Sequence, residues 1–151
     1  MSEHRAAIHW TRTSKDFSYD TYNRAHEIRF KDGAVVLAAS AAPEFKGDAA
    51  RVDPEEAFVA SLSSCHMLSF LAVCARKRFP VDAYEDEAFG KLSKNAGGKF
   101  WVGHVTLRPR VRFAPGTGVD KVTLNEIHDL AHAQCFIANS VKTEISVEPR
   151  E

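Results

Sequence analysis

From Ala57 to Ala75 the chain runs nineteen positions without an Asp, Glu, Lys or Arg, and then turns basic at Arg76, Lys77 and Arg78. An uncharged stretch of that length has two physical solutions, a membrane span or a helix buried in protein. Ser61, Ser63, Ser64, His66 and Ser69 interrupt it, and a run this polar is expected as a core helix with no membrane partner. The residues ahead of it have the grammar of a helix start. Asp53 stands as the cap, Pro54 at the first helical position, and Glu55 and Glu56 in the first turn, facing the positive end of the dipole. The basic residues suit the negative end, and Pro80 stops the helix. One helix from Pro54 to about Arg78 follows, roughly 37 Å long at about 1.5 Å per residue. Its apolarity on most sides predicts burial nearly all round. A chain of 151 residues has little material for that, so a dimer sharing its central helices is expected.

The order read along the rest of the chain is strands, the long helix, strands, a shorter helix and a last strand, one α+β domain over residues 1–151. Ile8, Trp10, Phe17, Tyr19 and Tyr22 among polar residues, and the compact run Ala34 to Ser40 after the Lys31-Asp32-Gly33 turn, predict a β-meander. Ala41 to Val52, with Pro43 and Gly47, keeps neither period and is a loop. Trp101 to Phe113 alternates apolar and polar residues as one half-buried strand, in which Pro109 marks an edge or a bulge. Residues from about Asp120 to Ala138 read as the second helix, and Val141, Thr143, Ile145 and Val147 as one face of the last strand.

Charge excludes some functions. Twenty basic and twenty acidic residues cancel, so no global field draws the chain to nucleic acid or to an anionic membrane. The row Arg108, Arg110, Arg112 is expected as a solvated strand face. Met1 to Ala7 is polar and has no apolar core before a cleavage site, which predicts a cytoplasmic protein. Three cysteines, Cys65, Cys74 and Cys135, are too few and too widely spaced for a secreted disulfide framework, and in a reducing compartment their reactivity becomes the question.

Cys65 sits in Ser61-Leu62-Ser63-Ser64-Cys65-His66, where hydroxyls crowd an apolar helix, so it is either an inert buried thiol or part of a small polar site. Cys135 has the same two readings on the second helix. Cys74, nine residues after Cys65, falls about 180° round the helix and is expected to be structural. A competing set is His128, His132 and Cys135 at i, i+4 and i+7, all on one helix face. With Cys65 or His66 it offers four zinc ligands, although the short loop pairs usual for structural zinc are missing.

Asp53-Pro54-Glu55-Glu56-Ala57-Phe58-Val59-Ala60-Ser61-Leu62-Ser63-Ser64-Cys65 resembles the signature of the OsmC/Ohr family, where an Asn/Asp-Pro-Glu helix start lies ahead of an active cysteine. Ala131 to Val141 is similar to the segment that holds the family's second cysteine, with Phe136 in place of a proline. Cys65-His66-Met67 looks more like a less-studied OsmC-like branch than either named subgroup. The resemblance implies an OsmC-like fold, antiparallel strands around a long buried helix in an intertwined homodimer. It also implies a peroxidase reducing organic hydroperoxides, Cys65 as the attacking thiol, Cys135 as its disulfide partner, and a dithiol reductant: a lipoyl protein, thioredoxin or a small thiol. No cofactor and no resident metal is expected. In the family an arginine held by a glutamate ionises the cysteine. Glu55 matches the glutamate, about 15 Å up a straight helix from Cys65. One subgroup takes its arginine from the loop before the helix, where this chain has Glu44-Phe45-Lys46-Gly47; the other takes it from an early turn, which points to Arg24, with Arg29 and Arg51 as rivals. An interface lined by Phe58, Phe70 and Leu71 would favour bulky apolar peroxides. The second reading is a non-peroxidatic member binding a small ligand or metal through Cys65, His128, His132 and Cys135.

Overall fold

The structure is a computed structural model describing residues Met1–Glu151, which form two compact units, Met1–Ala57 and Phe58–Glu151. In the first unit, β1 (Ala7–His9), β2 (His26–Phe30) and β3 (Val35–Ala39) make an antiparallel sheet in that order. Lys31 and Asp32 adopt left-handed φ values of 52° and 53° and Gly33 one of 92°, so the predicted turn reverses the chain between β2 and β3. The meander is smaller than its aromatic residues imply. Phe17, Tyr19 and Tyr22 lie in the connection from β1 to β2, which is tied by Asn23: its Oδ1 accepts from Thr13 N at 2.8 Å and its Nδ2 donates to Thr11 O at 2.9 Å. Side-chain bonds of this kind offer the backbone an alternative to a ladder, which is why the segment is not a strand.

Asp53 caps the long helix α1 (Pro54–Lys77) through a reciprocal box: its Oδ1 accepts from Glu56 N at 2.7 Å, while Glu56 Oε2 accepts from Asp53 N at 3.1 Å. Replacing Asp53 by Ala is therefore expected to cost about 1 kcal/mol, read as a lower urea midpoint at constant slope. An unchanged midpoint would show that the box contributes nothing.

In the second unit β4 (Val81–Asp86) pairs antiparallel with β7 (Pro109–Phe113), and β6 (Phe100–Leu107) lies between antiparallel β5 (Phe89–Lys94) and parallel β8 (Glu144–Val147). The strand read as continuous from Trp101 to Phe113 thus breaks at Arg108 and changes sheets there, with Pro109 opening β7. The freed backbone is satisfied locally. Asp86 Oδ1 accepts from Arg108 N at 2.6 Å, and Arg150 Nε donates to Arg108 O at 2.7 Å. Gly90 on β5 is required by close packing, since a Cβ there would stand 2.8 Å from Val59 Cγ2 of α1.

α2 (Lys121–Gln134) begins at Asp120, whose Oδ1 accepts from Thr123 N at 2.8 Å, and that bond holds the Asp120 carboxyl below its ordinary range. Two apolar clusters form the core. Phe70, Val73 and Cys74 of α1 meet Ile127 and Ala131 of α2 in one; Leu62 of α1 meets Val105 and Leu107 of β6 in the other. Burial of α1 differs from the expectation. Within the chain only Leu62, His66, Phe70, Val73 and Cys74 are buried, while Ser61, Ser64 and Leu68 are exposed. A single copy covers one stripe of a helix that is apolar over a wider arc. Phe70, expected at an interface, is fully buried against Tyr84, Phe113 and His128, so it lines no open surface.

Candidate thiol site

Cys65 lies mid-helix on α1, half-buried, and Cys135 is the buried residue that closes α2. α2 stops at Gln134, and Cys135 is its C-cap: its backbone N–H still donates to His132 O, φ is −73°, and ψ of 110° turns only the chain that follows away from the helix. Side chains of the following turn hold this end: Asn139 Nδ2 donates to Ala133 O at 3.0 Å and Ser140 Oγ to Phe136 O at 2.7 Å. The Cys135 thiol lies close enough to that of Cys65 on α1 for the two to influence each other's ionisation.

The surroundings of the two thiols are unequal. Burial first, and then the nearby Cys65 thiol, push Cys135 up to about 11, against the backbone N–H groups of Ala138 and Ile137, which favour the thiolate. The Ala138 N–H lies 3.4 Å from Cys135 Sγ, yet desolvation wins, and the negative end of α2 adds to it. Cys135 therefore stays protonated near neutrality. Cys74 is 1% exposed in the α1–α2 core, and burial pushes it likewise to about 11, the behaviour of an inert core thiol.

One residue beyond Cys65, His66 turns into the core and its Nε2 lies 3.0 Å from Nδ1 of His128 on α2. The rings stack with centroids 5.3 Å apart, and Phe70 packs on His128 at 4.5 Å. Burial, and secondarily charge on its histidine neighbours, takes each imidazole down to about 4, so the pair is neutral at physiological pH. His66 Nδ1 and His128 Nε2 have no protein partner. Whichever ring donates, one of those two nitrogens keeps an unpartnered N–H. Sequence reasoning named His66 and His128 only as possible zinc ligands and missed the pair. The zinc set is not assembled: no three His, Cys, Asp or Glu side chains come together as ligands.

Below the pair, Asp86 accepts from Ser63 Oγ at 2.5 Å as well as from Arg108 N. Ser63 is thus one of the hydroxyls that marked this part of α1, and its partner is a strand carboxylate.

Arg24, Glu55, Arg29 and Arg51 all belong to the first unit. Arg24 is 9% exposed, donates to Tyr19 O at 2.6 Å and Tyr22 O at 3.0 Å, and stacks 3.9 Å over the Tyr22 ring. With Trp10, Phe17, His26 and Ser40 it lines a cavity of about 430 Å³. Arg29 pairs with Glu27 at 2.6 Å and Arg51 with Asp48 at 3.4 Å. No hydrogen bond or ion pair joins Glu55 to any of these arginines; the glutamate that works at the helix start is Glu56, in the cap.

The family model for OsmC-like proteins matches residues 47–150. The chain belongs to the OsmC-like family. An OsmC-like protein of unknown function from Vibrio cholerae shares 46% identity with it, over 99% of this chain and 100% of the other, at a TM-score of 0.94. An organic hydroperoxide resistance protein from Legionella pneumophila superposes at 0.73 with 17% identity, covering 99% and 96% of the two chains. That of Bacillus subtilis superposes at 0.69 with 22% identity, covering 97% and 98%. At those identities the last two share its fold. No curated protein sequence matches the chain. The mixed α+β architecture, two helices with largely antiparallel sheets, is that of the OsmC-like fold.

Proposed function

We propose that this OsmC-like protein is a thiol peroxidase for organic hydroperoxides, working in the cytoplasm as a homodimer in which a second copy covers the exposed face of α1. The observation that carries the reading is the nearness of half-buried Cys65 to buried Cys135, whose thiol burial keeps protonated. The Cys65 thiolate attacks a peroxide oxygen, the O–O bond breaks, and the alcohol leaves with a proton, so that Cys65 becomes a sulfenic acid. The Cys135 thiol then attacks that sulfur, an S–S bond forms, and water leaves. A dithiol such as a lipoyl group or thioredoxin reduces the disulfide by exchange and is itself oxidised. From the family resemblance, Arg24 is the candidate for the arginine that ionises Cys65, with Glu55 as its matching glutamate.

Mass spectrometry after one molar equivalent of cumene hydroperoxide tests this. The reduced wild type is expected to lose two hydrogens through a Cys65–Cys135 disulfide, and Cys65→Ser to remain unchanged. A wild type no more reactive than free cysteine would remove the peroxidase reading.

A further inference from the structure

We propose that His66 and His128 are positioning residues for the Cys65–Cys135 pair: their hydrogen bond fixes α1 against α2 so that Cys135 reaches Cys65. This deepens the thiol-peroxidase reading and rests on it for its functional meaning.

Two observations and one physical consequence support it. The bond is the only buried side-chain hydrogen bond between the two helices, since the other, Arg76 Nη2 to Gln134 Oε1 at 2.7 Å, is exposed. It leaves α1 one residue after Cys65 and meets α2 about two turns before Cys135, so rotation or sliding of α2 that separated the thiols would also break it. A buried polar group that loses its partner is left both desolvated and unpaired, and that penalty opposes small shifts of α2 along α1. Apolar packing brings the helices together; the histidine pair sets their register.

The thiols need this device because neither sits at the tip of a mobile loop. Cys65 is held mid-helix, and Cys135 is fixed at a helix end by Asn139 and Ser140. Closing two such groups to bonding distance depends on how closely the reduced protein already approaches that geometry, which is an effective concentration of one thiol at the other.

The experiment equilibrates the protein with reduced and oxidised glutathione at pH 7 and measures the fraction with the Cys65–Cys135 disulfide. His128→Phe keeps a ring against Phe70 and removes the nitrogen; His128→Asn restores a polar atom where Nδ1 lies. The Phe variant is expected to lower the effective concentration about tenfold, equivalent to a reduction potential higher by ~30 mV, and the Asn variant to recover most of it. If His128→Phe does not fold, His66→Phe against His66→Gln makes the same comparison from α1. Equal potentials in wild type and the folded Phe variant would overturn the proposal, as would an Asn or Gln variant no better than its Phe counterpart, or a wild type that forms no disulfide with glutathione. A wild type that closes with glutathione but is inert to hydroperoxide would remove the peroxidase reading alone and leave the positioning role standing.

Discussion

Lowering the pH from about 6.5 to 4 is expected to remove several kcal/mol of folding stability, because the unfolded chain binds protons there that the folded protein refuses. His66 and His128 each titrate at an ordinary 6.5 when unfolded and at about 4 in the core. Above 6.5 both states are neutral at these positions and the pair contributes its full stability. Between 6.5 and 4 the unfolded state carries more protons, so stability falls as pH falls, by about 3 kcal/mol for each imidazole over the whole window. Below 4 the folded protein takes up the protons too and the loss levels off. The groups facing the pair are His132 on α2, whose charge lowers His66 further, and Asp86 on β4, which opposes the shift; Phe70, packed on His128, supplies a desolvating wall. Desolvation is the largest cause for both histidines, so one carboxylate does not rescue their charged forms. Urea midpoints from pH 7.5 to 4 test this against the double variant His66→Gln, His128→Asn, which should lose most of the slope. A flat wild-type profile, or an equal slope in the variant, would show that the pair is not the acid-sensitive element.

What the sequence made legible was whatever local chemistry decides. α1 was readable because Asp53, Pro54 and the basic tail are signals carried by the residues at its ends, and α2 was readable through the helical spacing of its own apolar residues. The end of α2 was not, because it depends on Asn139 and Ser140 reaching back to the carbonyls of Ala133 and Phe136, and no Gly or Pro announces it. The break at Arg108 was hidden for a related reason. Alternation records which face of a strand is buried but not which strand it pairs with, so β6 and β7 read as one. β4 and β5 themselves went unread. At the site, both cysteines were legible through the family resemblance, while the His66–His128 bond was not, because a cross-helix partner leaves no mark in either helix's own pattern. The exposed face of α1 follows from the same division: the sequence states that the helix is apolar over most of its girth, and one chain supplies cover for a single stripe.

The proposed reaction makes the two cysteine variants fail differently, and the asymmetry comes from burial. With its thiol pushed to about 11, Cys135 is ionised to only about one part in ten thousand at pH 7. Cys65→Ser therefore leaves no competent nucleophile, and hydroperoxide consumption should fall to background from the first turnover. Cys135→Ser keeps the attacking thiol. It should consume one equivalent of hydroperoxide per Cys65 at close to the wild-type rate and then fail to turn over, because the sulfenic acid has no thiol beside it to condense with. Excess hydroperoxide carries it on to the sulfinic acid, seen as two added oxygens on Cys65, a state ordinary dithiols do not reverse. With thioredoxin as reductant, wild-type turnover continues while the variant uses at most the two equivalents that carry Cys65 to the sulfinic acid. Cys74→Ala separates chemistry from general damage: Cys74 lies in the α1–α2 core, so its loss should lower the melting temperature and leave both the first equivalent and later turnover intact. Sustained turnover by Cys135→Ser, or its loss in Cys74→Ala, would break the assignment of Cys135 as the resolving thiol.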